Sequence, residues 1–329
     1  MSFDNIKLEK GLYTTGKSFT EALEAIDPSE NYKGTSLEGL DAYERQLKRF
    51  DIKVSGANSD TISKFYKTTD SSVLFPEYIS RAVRTGMERN DKVEKLVATT
   101  TEIDSLDYRS ISFDDEMNLE LSEVAEGSDF SECAVSLNEE HTTLKKYGKI
   151  LKGSYEAIKF QKLDLFSIIL KRIGENISNA QFAAAINTIA ESEKCQPYTC
   201  DIENIKYEDL VNIWTMCHPF NMNTLVVSKN VLANILKMPE MRDASAGLNF
   251  HGTGKLVTPF GAELICASFT DNDYIFGIDR NNTLERVQAG GVRTEFDKLI
   301  NCQMERAAIS TIVGFSPIYG EAAVFSMKS

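Results

Sequence analysis

The sequence predicts an α+β fold, and three observations support that prediction. Residues 161–189 carry apolar side chains at alternating steps of three and four, which is typical of one face of a single long helix. Before this helix, residues 107–113 and 117–123 alternate in polarity with period two, as strands do. After it, from Cys195 to Arg293, helix-like and strand-like segments interleave.

Composition indicates a globular protein of about two domains. The chain has 329 residues, 42% of them hydrophobic, and a formal net charge of -13. This acidity argues against a dedicated nucleic-acid binder, because phosphate contacts need clustered lysine and arginine, and it argues equally against an anionic membrane surface. The N-terminus lacks the apolar core of a signal peptide, so we expect a soluble protein that is cytoplasmic when made. The six scattered cysteines favour reduced thiols.

The N-terminal region contains one clear amphipathic segment. Residues 1–35 are rich in turn formers and predict a loosely ordered leader. Residues 36–50 then space their apolar side chains as a helix with one apolar face, formed by Leu37, Leu40, Tyr43, Leu47 and Phe50. We expect that face to be covered permanently.

The next apolar stretch contains a proline. Pro76 lies among Val73, Leu74, Phe75 and Tyr78, which predicts an extended segment that enters a short helix near Glu77–Thr85. With no core-sized partner nearby in sequence, the segment either docks on another subunit or packs on its own domain.

Residues 107–123 predict a long β-hairpin with a turn at Asp114 and Asp115. An isolated hairpin is marginal in water, so it should lie on another surface. Its charge is one-sided: from residue 96 to residue 144 the only lysine or arginine is Arg109, against thirteen acidic residues. This segregation predicts either a basic surface on a neighbour or a solvated acidic face.

The long helix follows a basic strand at residues 145–158. Its predicted core positions are five apolar residues of the seam, Leu163, Phe166, Leu170, Ile173 and Ile177. Ile168, Ile169, Phe182 and Ile186 add a second apolar flank. At 1.5 Å per residue the helix is about 40 Å long, which suits a helix packed across a sheet better than a coiled coil.

Catalytic chemistry has no clear signature in this chain. The stretch from His251 to Lys255 lacks full phosphate-loop spacing, and Cys195, Cys200, Cys217 and His218 match no usual zinc pattern. No nucleophile motif accompanies any of the three histidines. We therefore predict no catalytic residues, no metal and no cofactor.

Taken in order, the segments resemble the major capsid proteins of tailed bacteriophages with the Hong Kong 97-like fold. The resemblance is carried by LDAYERQLKRFDIKV and TTDSSVLFPEYISRAVRTG as the N-terminal region, EVAEGSDFSE as one side of an extended loop, KKYGKILKGSYEAI before the spine helix, and FDKLINCQMERAAISTIVGFSPIY as the return segment. These segments cover nearly the whole chain, and their order is the specific part of the match.

The resemblance implies a division of the chain into five parts. These are a leader with an amphipathic helix at 1–59, an N-arm at 60–95, an extended β-hairpin loop at 96–132, a peripheral domain at 133–195 and 294–329 that holds the spine helix, and an α/β axial domain at 196–293. It implies that the loop contacts a neighbouring subunit through Tyr108, Arg109, Asp114, Asp115, Glu116 and Leu119. It also implies that Leu74, Phe75, Pro76 and Tyr78 dock the arm.

The implied function is a structural, non-enzymatic one in the virion. Hexamers and pentamers of the chain would form an icosahedral head around double-stranded DNA, without sequence-specific binding and without a membrane. A separate scaffolding protein, a portal and a decoration protein are implied partners, and assembly would take place in the host cytoplasm. The loop has no lysine, so we predict no isopeptide cross-link from it.

Three alternatives stay open from the sequence. An encapsulin-like nanocompartment shares the fold but encloses enzymes. A cytosolic α/β enzyme would use the axial-domain cleft and the His251–Lys255 loop, but gives the acidic hairpin no role. A DNA-binding accessory protein conflicts with the charge.

Overall fold

The computed structural model describes residues 4, 6–14, 18–105, 107–113, 123–124, 126–127, 135–138, 141–154, 157, 159–242, 256–267, 272–299 and 304–327. The helices are α1 Phe19–Ile26, α2 Ala42–Arg49, α3 Thr69–Val73, α4 Phe75–Arg89, α5 Leu163–Glu191, α6 Tyr207–Met216, α7 Lys229–Lys237 and α8 Pro239–Arg242. The strands are β1 Thr99–Ile103, β2 Ile111–Phe113, β3 Val135–Leu137, β4 Lys145–Ser154, β5 Gln196–Pro197, β6 Thr224–Val227, β7 Glu263–Cys266, β8 Tyr274–Ile278, β9 Leu284–Ala289, β10 Arg293–Leu299, β11 Met304–Pro317 and β12 Ala323–Met327.

The chain forms two compact units. Unit 1 comprises Met1–Asn90, Gly148–Ser178 and Val292–Thr311, and unit 2 comprises Asp91–Tyr147, Asn179–Gly291 and Ile312–Ser329. Helix α5 and strands β4 and β11 contribute residues to both units. The five-part division implied by the resemblance stays a prediction. In the described part of the chain, no helix is both long and apolar enough to cross a membrane.

The N-terminal leader of unit 1 contains capped helices, which corrects the expectation of loose order. Ser18 caps α1 and Asp41 caps α2, and in each case the glutamate three residues later bonds back to the capping residue. The predicted helix at 36–50 is therefore shorter, because the Asp41 cap starts it at Ala42. A fully buried arginine joins these elements: Arg45 donates from Nε to Asp27 over 2.9 Å and lies 4.4 Å from the Tyr32 ring centroid.

The predicted extended segment around Pro76 is helical, so that prediction is wrong. Pro76 occupies the first turn of α4, where its missing N–H has no intrahelical role, and α3 precedes it. Leu74, Phe75 and Tyr78 are buried within unit 1, and the Phe75 ring stacks 6.3 Å from that of Phe166. This stretch therefore packs on its own domain, which is the second of the two alternatives.

Helices α4 and α5 of unit 1 cross at two glycines. A Cβ added to Gly86 would lie 2.1 Å from the Lys171 carbonyl oxygen, and one added to Gly174 would lie 2.1 Å from that of Val83. Only residues without a side chain allow the backbones to approach this closely. The five predicted core positions of the long helix, Leu163, Phe166, Leu170, Ile173 and Ile177, are all buried.

Unit 2 is built on a five-stranded sheet in the order β5-β12-β8-β6-β7. Alternate residues of β8 point to opposite faces: Phe276 joins the apolar cluster that contains Phe182 and Ile186 of α5, whereas Ile275 joins the cluster that contains α6 and α7. The interleaved helices and strands predicted for residues 207–278 are present. Strand β9, which the sequence did not predict, lies in a second sheet, where it pairs in parallel with β1 and antiparallel with β11.

Candidate assembly surfaces

The root of the predicted loop is a short ribbon in unit 2. Strand β2 pairs antiparallel with β3, with Ile111 opposite Leu137. The ladder continues toward the sheet, where the amide of Asn138 donates to the carbonyl of Ser110 over 2.9 Å and that of Thr142 to the carbonyl of Tyr108 over 2.8 Å. These bonds fix the register of the two chain segments that enter and leave the loop.

The ribbon contains a pairing that the sequence did not predict, because the described partner of β2 is β3, at residues 135–137. The predicted turn at Asp114 and Asp115 and most of the predicted strand 117–123 lie outside the described residues, so that hairpin stays a prediction. Residues 99–103, predicted as the start of the loop, belong to the sheet through β9. The predicted contact residues Asp114, Asp115, Glu116 and Leu119 lie outside the described residues.

One side of the ribbon's first segment is held by a buried carboxylate. Glu285 of β9 accepts hydrogen bonds from three hydroxyls: Thr101 (2.5 Å), Tyr108 (2.7 Å) and Ser110 (2.5 Å). Burial, followed by the hydrogen bond to Glu285, raises the pKa of Tyr108, so the phenol keeps its proton and donates. The sequence singled out Tyr108 but missed Glu285, because the strand that carries it was not predicted.

The other side of the same segment faces solvent and holds a histidine. Arg109 donates to Nε2 of His141 over 2.8 Å, so the ring proton is on Nδ1, which bonds Asp107. The alternation predicted for this segment is therefore present, since Tyr108 and Ser110 share one side and Asp107 and Arg109 the other. The predicted neighbour contact of Arg109 stays a prediction, because its described partner is in its own unit.

The ribbon exposes an apolar pair. Ile111 and Leu137, which face each other across the strands, are 51% and 64% exposed. They line an open groove of about 1420 Å³ within unit 2, together with the end of α5 and residues 313–321. A cross-strand apolar pair left in water favours burial against another surface.

Unit 1 has its own exposed apolar surface on α5. Leu165, Ile168 and Ile169 lie at helical spacing on the side opposite the buried seam, and Ile168 is 60% exposed. The predicted second flank therefore splits, because Ile168 and Ile169 face solvent whereas Phe182 and Ile186 are buried in unit 2. A helix that is apolar on both sides is usually buried on both, yet no described residue covers this exposed helix face (Leu165, Ile168, Ile169).

Exposed lysines border this part of the chain. Lys149 and Lys152 of β4 are exposed in unit 1, and neither has an ion-pair partner among the described residues. Ile150 lies between these two lysines in sequence and Phe160 follows them, and both apolar side chains are more than 60% exposed. The stretch from Ile150 to Ile169 thus combines apolar and positively charged side chains, which is the composition that would receive an acidic, partly apolar segment.

Among the described residues, no group of three or more histidine, cysteine, aspartate or glutamate side chains is placed to hold a metal ion. Cys195 donates to the carbonyl of Ala323 and Cys217 to that of Gly277, while Cys200 bonds Ser326. Burial raises the pKa of both Cys195 and Cys217 to about 12, so these thiols keep their protons at neutral pH. The His251–Lys255 stretch lies outside the described residues.

Comparison with solved structures identifies the fold. The chain superposes on a virus-like particle protein from Pyrococcus furiosus with a TM-score of 0.53 and 14% identity, over 76% of this chain and 98% of that one. It superposes on the capsid protein of a native GTA particle with a TM-score of 0.53 and 13% identity, over 74% and 90% of the two chains. A structure from Microbacterium phage Oxtober96 superposes with a TM-score of 0.51 and 9% identity, over 73% of this chain and 91% of that one.

These likenesses confirm the predicted fold, which is a mixed α+β fold of the Hong Kong 97-like capsid type. No model of a known protein family matches the sequence, and no curated protein matches it either. At these identities the resemblance lies in the path of the backbone and not in shared residues.

Proposed function

We propose that the chain is the structural shell protein of a tailed-bacteriophage head, which assembles as hexamers and pentamers into an icosahedral container for double-stranded DNA. The observation that supports this most is the fold match, because it covers nine-tenths or more of proteins described as a virus-like particle and a capsid. We assign no catalytic residue and no cofactor to the chain.

The exposed apolar residues support self-association. Five of them, Ile150, Phe160, Leu165, Ile168 and Ile169, fall within twenty residues of sequence in unit 1. Their burial in a subunit contact would stabilise that contact by about 25 cal/mol for each Å² of apolar surface removed from water. We propose that a second copy of this chain provides the cover.

Charge segregation supports a head-to-tail arrangement of copies. The acidic residues of 102–140 precede six lysines between residues 145 and 162, so each copy carries one acidic and one basic segment. When the acidic segment of one copy lies on the basic segment of the next, the contact is heterologous and closes into a ring if the rotation allows it. Rings of five and six are the assemblies that an icosahedral shell needs.

The net charge supports a container and not a DNA-binding protein. At -13, the wall as a whole would repel phosphates, so packaged DNA would be enclosed without being gripped. A scaffolding protein, a portal and a decoration protein are further proposed partners, and assembly is proposed to occur in the host cytoplasm before the virion is released.

The content of the particles distinguishes the head from an enzyme nanocompartment. Particles isolated from the native source would be treated with nuclease, opened, and analysed for nucleic acid and for protein. Nuclease-protected double-stranded DNA is the expected result. Particles that contain a single co-purified enzyme and no DNA would instead favour the nanocompartment.

A further inference from the structure

The loop root contains a buried acid that neither the sequence pattern nor the fold assigns to any role. Glu285 is 5% exposed and lies on β9, where its backbone pairs with β1 on one side and with β11 on the other. Its neighbour Arg286 bonds Thr100 and Asp91. Among the described residues, three hydroxyls and no basic side chain bond the Glu285 carboxylate.

A buried carboxylate without a cation is costly unless its oxygens are satisfied by hydrogen bonds. Here one oxygen accepts from Thr101 and Tyr108, and the other accepts from Ser110, which is itself buried. Hydrogen bonds to a charged group are shorter and stronger than bonds between neutral groups. The site is therefore a strong attachment point for the segment that bears Tyr108 and Ser110.

That segment leads directly into the ribbon. Ser110 immediately precedes β2, and its carbonyl accepts from Asn138 on the returning segment, so both sides of the ribbon are fixed through one residue. In the same way, the Tyr108 carbonyl accepts from the amide of Thr142 on the returning segment. The side chains of these two residues bond the carboxylate while their backbones hold the returning strand.

We propose that Glu285 is the positioning residue of the loop: its carboxylate clamps the root of the ribbon to β9 and so fixes the direction in which β2 and β3 leave the sheet that contains β9. The clamp itself does not depend on any assembly. Its consequence for assembly rests on the function proposed above, since a loop must leave its own subunit in a fixed direction to meet a neighbour reproducibly.

The clamp is tested by hydrogen exchange on the full-length chain and on its Glu285→Gln variant. The amide keeps the size of the side chain but removes the charge and replaces one acceptor with a donor. Peptides covering 107–113 and 138–145 should exchange about tenfold faster or more in the variant, because hydrogen bonds to a charged group are lost, whereas the peptide covering β6 should be unchanged. Glu263→Gln, a carboxylate of β7 that bonds Lys95, is the matched control.

A second variant separates a clamp from general support of the fold. Tyr108→Phe removes one donor and leaves the carboxylate, so Glu285→Gln combined with Tyr108→Phe should accelerate exchange by less than the product of the two single effects. Unchanged exchange of the ribbon peptides in Glu285→Gln would overturn the proposal. An equal acceleration across all peptides of unit 2 would overturn it as well, because Glu285 would then act only through global stability.

Assembly provides an independent readout. If the chain forms shells, Glu285→Gln should form fewer or aberrant ones while Glu263→Gln forms normal ones. A variant with a loosened ribbon and normal shells would overturn the assembly consequence alone. If the unmodified chain forms no shells, the proposed function fails, and the exchange experiment still decides whether Glu285 clamps the ribbon.

Discussion

The crossing of α4 and α5 at two glycines allows the sharpest stability prediction. In Gly174→Ala the new Cβ would lie 2.1 Å from the Val83 carbonyl oxygen and 2.8 Å from the Met87 amide nitrogen, and both atoms are backbone. Because real Cβ atoms essentially never approach within 3.0 Å, the two helices would have to separate by roughly 1 Å at this point. No change of a side-chain rotamer relieves this contact.

Two opposing effects set the magnitude. Alanine is favoured over glycine in a helix interior by about 1 kcal/mol, whereas overpacking costs about 1–3 kcal/mol and reaches the upper end where backbone atoms collide. Separation would also loosen contacts beside the crossing, such as the bond from Ser178 Oγ to the Asn90 carbonyl. We expect a net loss of about 2 kcal/mol in the free energy of unfolding, since the collision outweighs the propensity gain.

The assay is urea unfolding of the unassembled chain, followed by far-ultraviolet circular dichroism. Gly11→Ala is the matched control, because a Cβ at Gly11 in the same unit meets nothing within 4 Å. We expect a lower urea midpoint for Gly174→Ala and for Gly86→Ala, and a midpoint equal to or above that of the parent for the control. A Gly174→Ala variant as stable as the parent would refute it.

Three further predictions concern the N-terminal core and the assembly surfaces. Arg45→Met leaves a buried carboxylate partner without its cation, so the free energy of unfolding should fall by about 3–5 kcal/mol, which urea unfolding would detect; a loss below 1 kcal/mol would contradict the role given to this pair. Ile168→Asp should reduce the assembly seen by light scattering and leave the urea midpoint unchanged, because the Ile168 side chain is 60% exposed. Asn187→Asp on the same helix is the control. Normal assembly of Ile168→Asp would exclude the exposed helix face as a contact. Reversing the charges at Asp114–Glu116 to lysine should weaken assembly most at low salt, since screening at about 10 Å in 0.1 M salt masks charge contacts; shells that form normally at every ionic strength would refute the acidic docking.

The sequence predicted those elements whose signal is local. The seam from Leu163 to Ile177 predicted both the long helix and its buried side, because a periodic apolar pattern can be recognised without knowing which element packs against it. The alternation around Tyr108 similarly identified which side chains share a face. The sequence also contains the reciprocal caps of α1 and α2, as Ser18 before Glu21 and Asp41 before Glu44, and these are local signals of a helix start.

The features that the sequence did not predict depend on tertiary partners. Nothing near Gly86 or Gly174 indicates that two helices cross there, because the reason for each glycine is the backbone of the other helix. Period-two alternation predicts a strand but not all of its partners, so the pairing of β2 with β3 was not predicted. Glu285 is polar within a strand with no alternation, and only the three hydroxyls that meet it explain its burial.

The stretch around Pro76 shows why an apolar segment does not by itself identify an interface. Leu74, Phe75 and Tyr78 suggested docking on a neighbour, yet they are buried by α5 and by Phe65 within unit 1. Ile168, which is 60% exposed, was predicted only as part of a second apolar flank of the long helix and not as a contact residue. Burial decides between these alternatives, and burial is a property of the whole unit.

The most direct test of the proposed shell function is the size of the particles that the purified full-length chain forms. Light scattering and negative-stain electron microscopy would be applied to the chain expressed alone and, in parallel, with a candidate scaffolding protein. We expect closed shells, or rings of five and six subunits. A stable monomer or dimer at high concentration, with no assembly even when the scaffold is supplied, would contradict it.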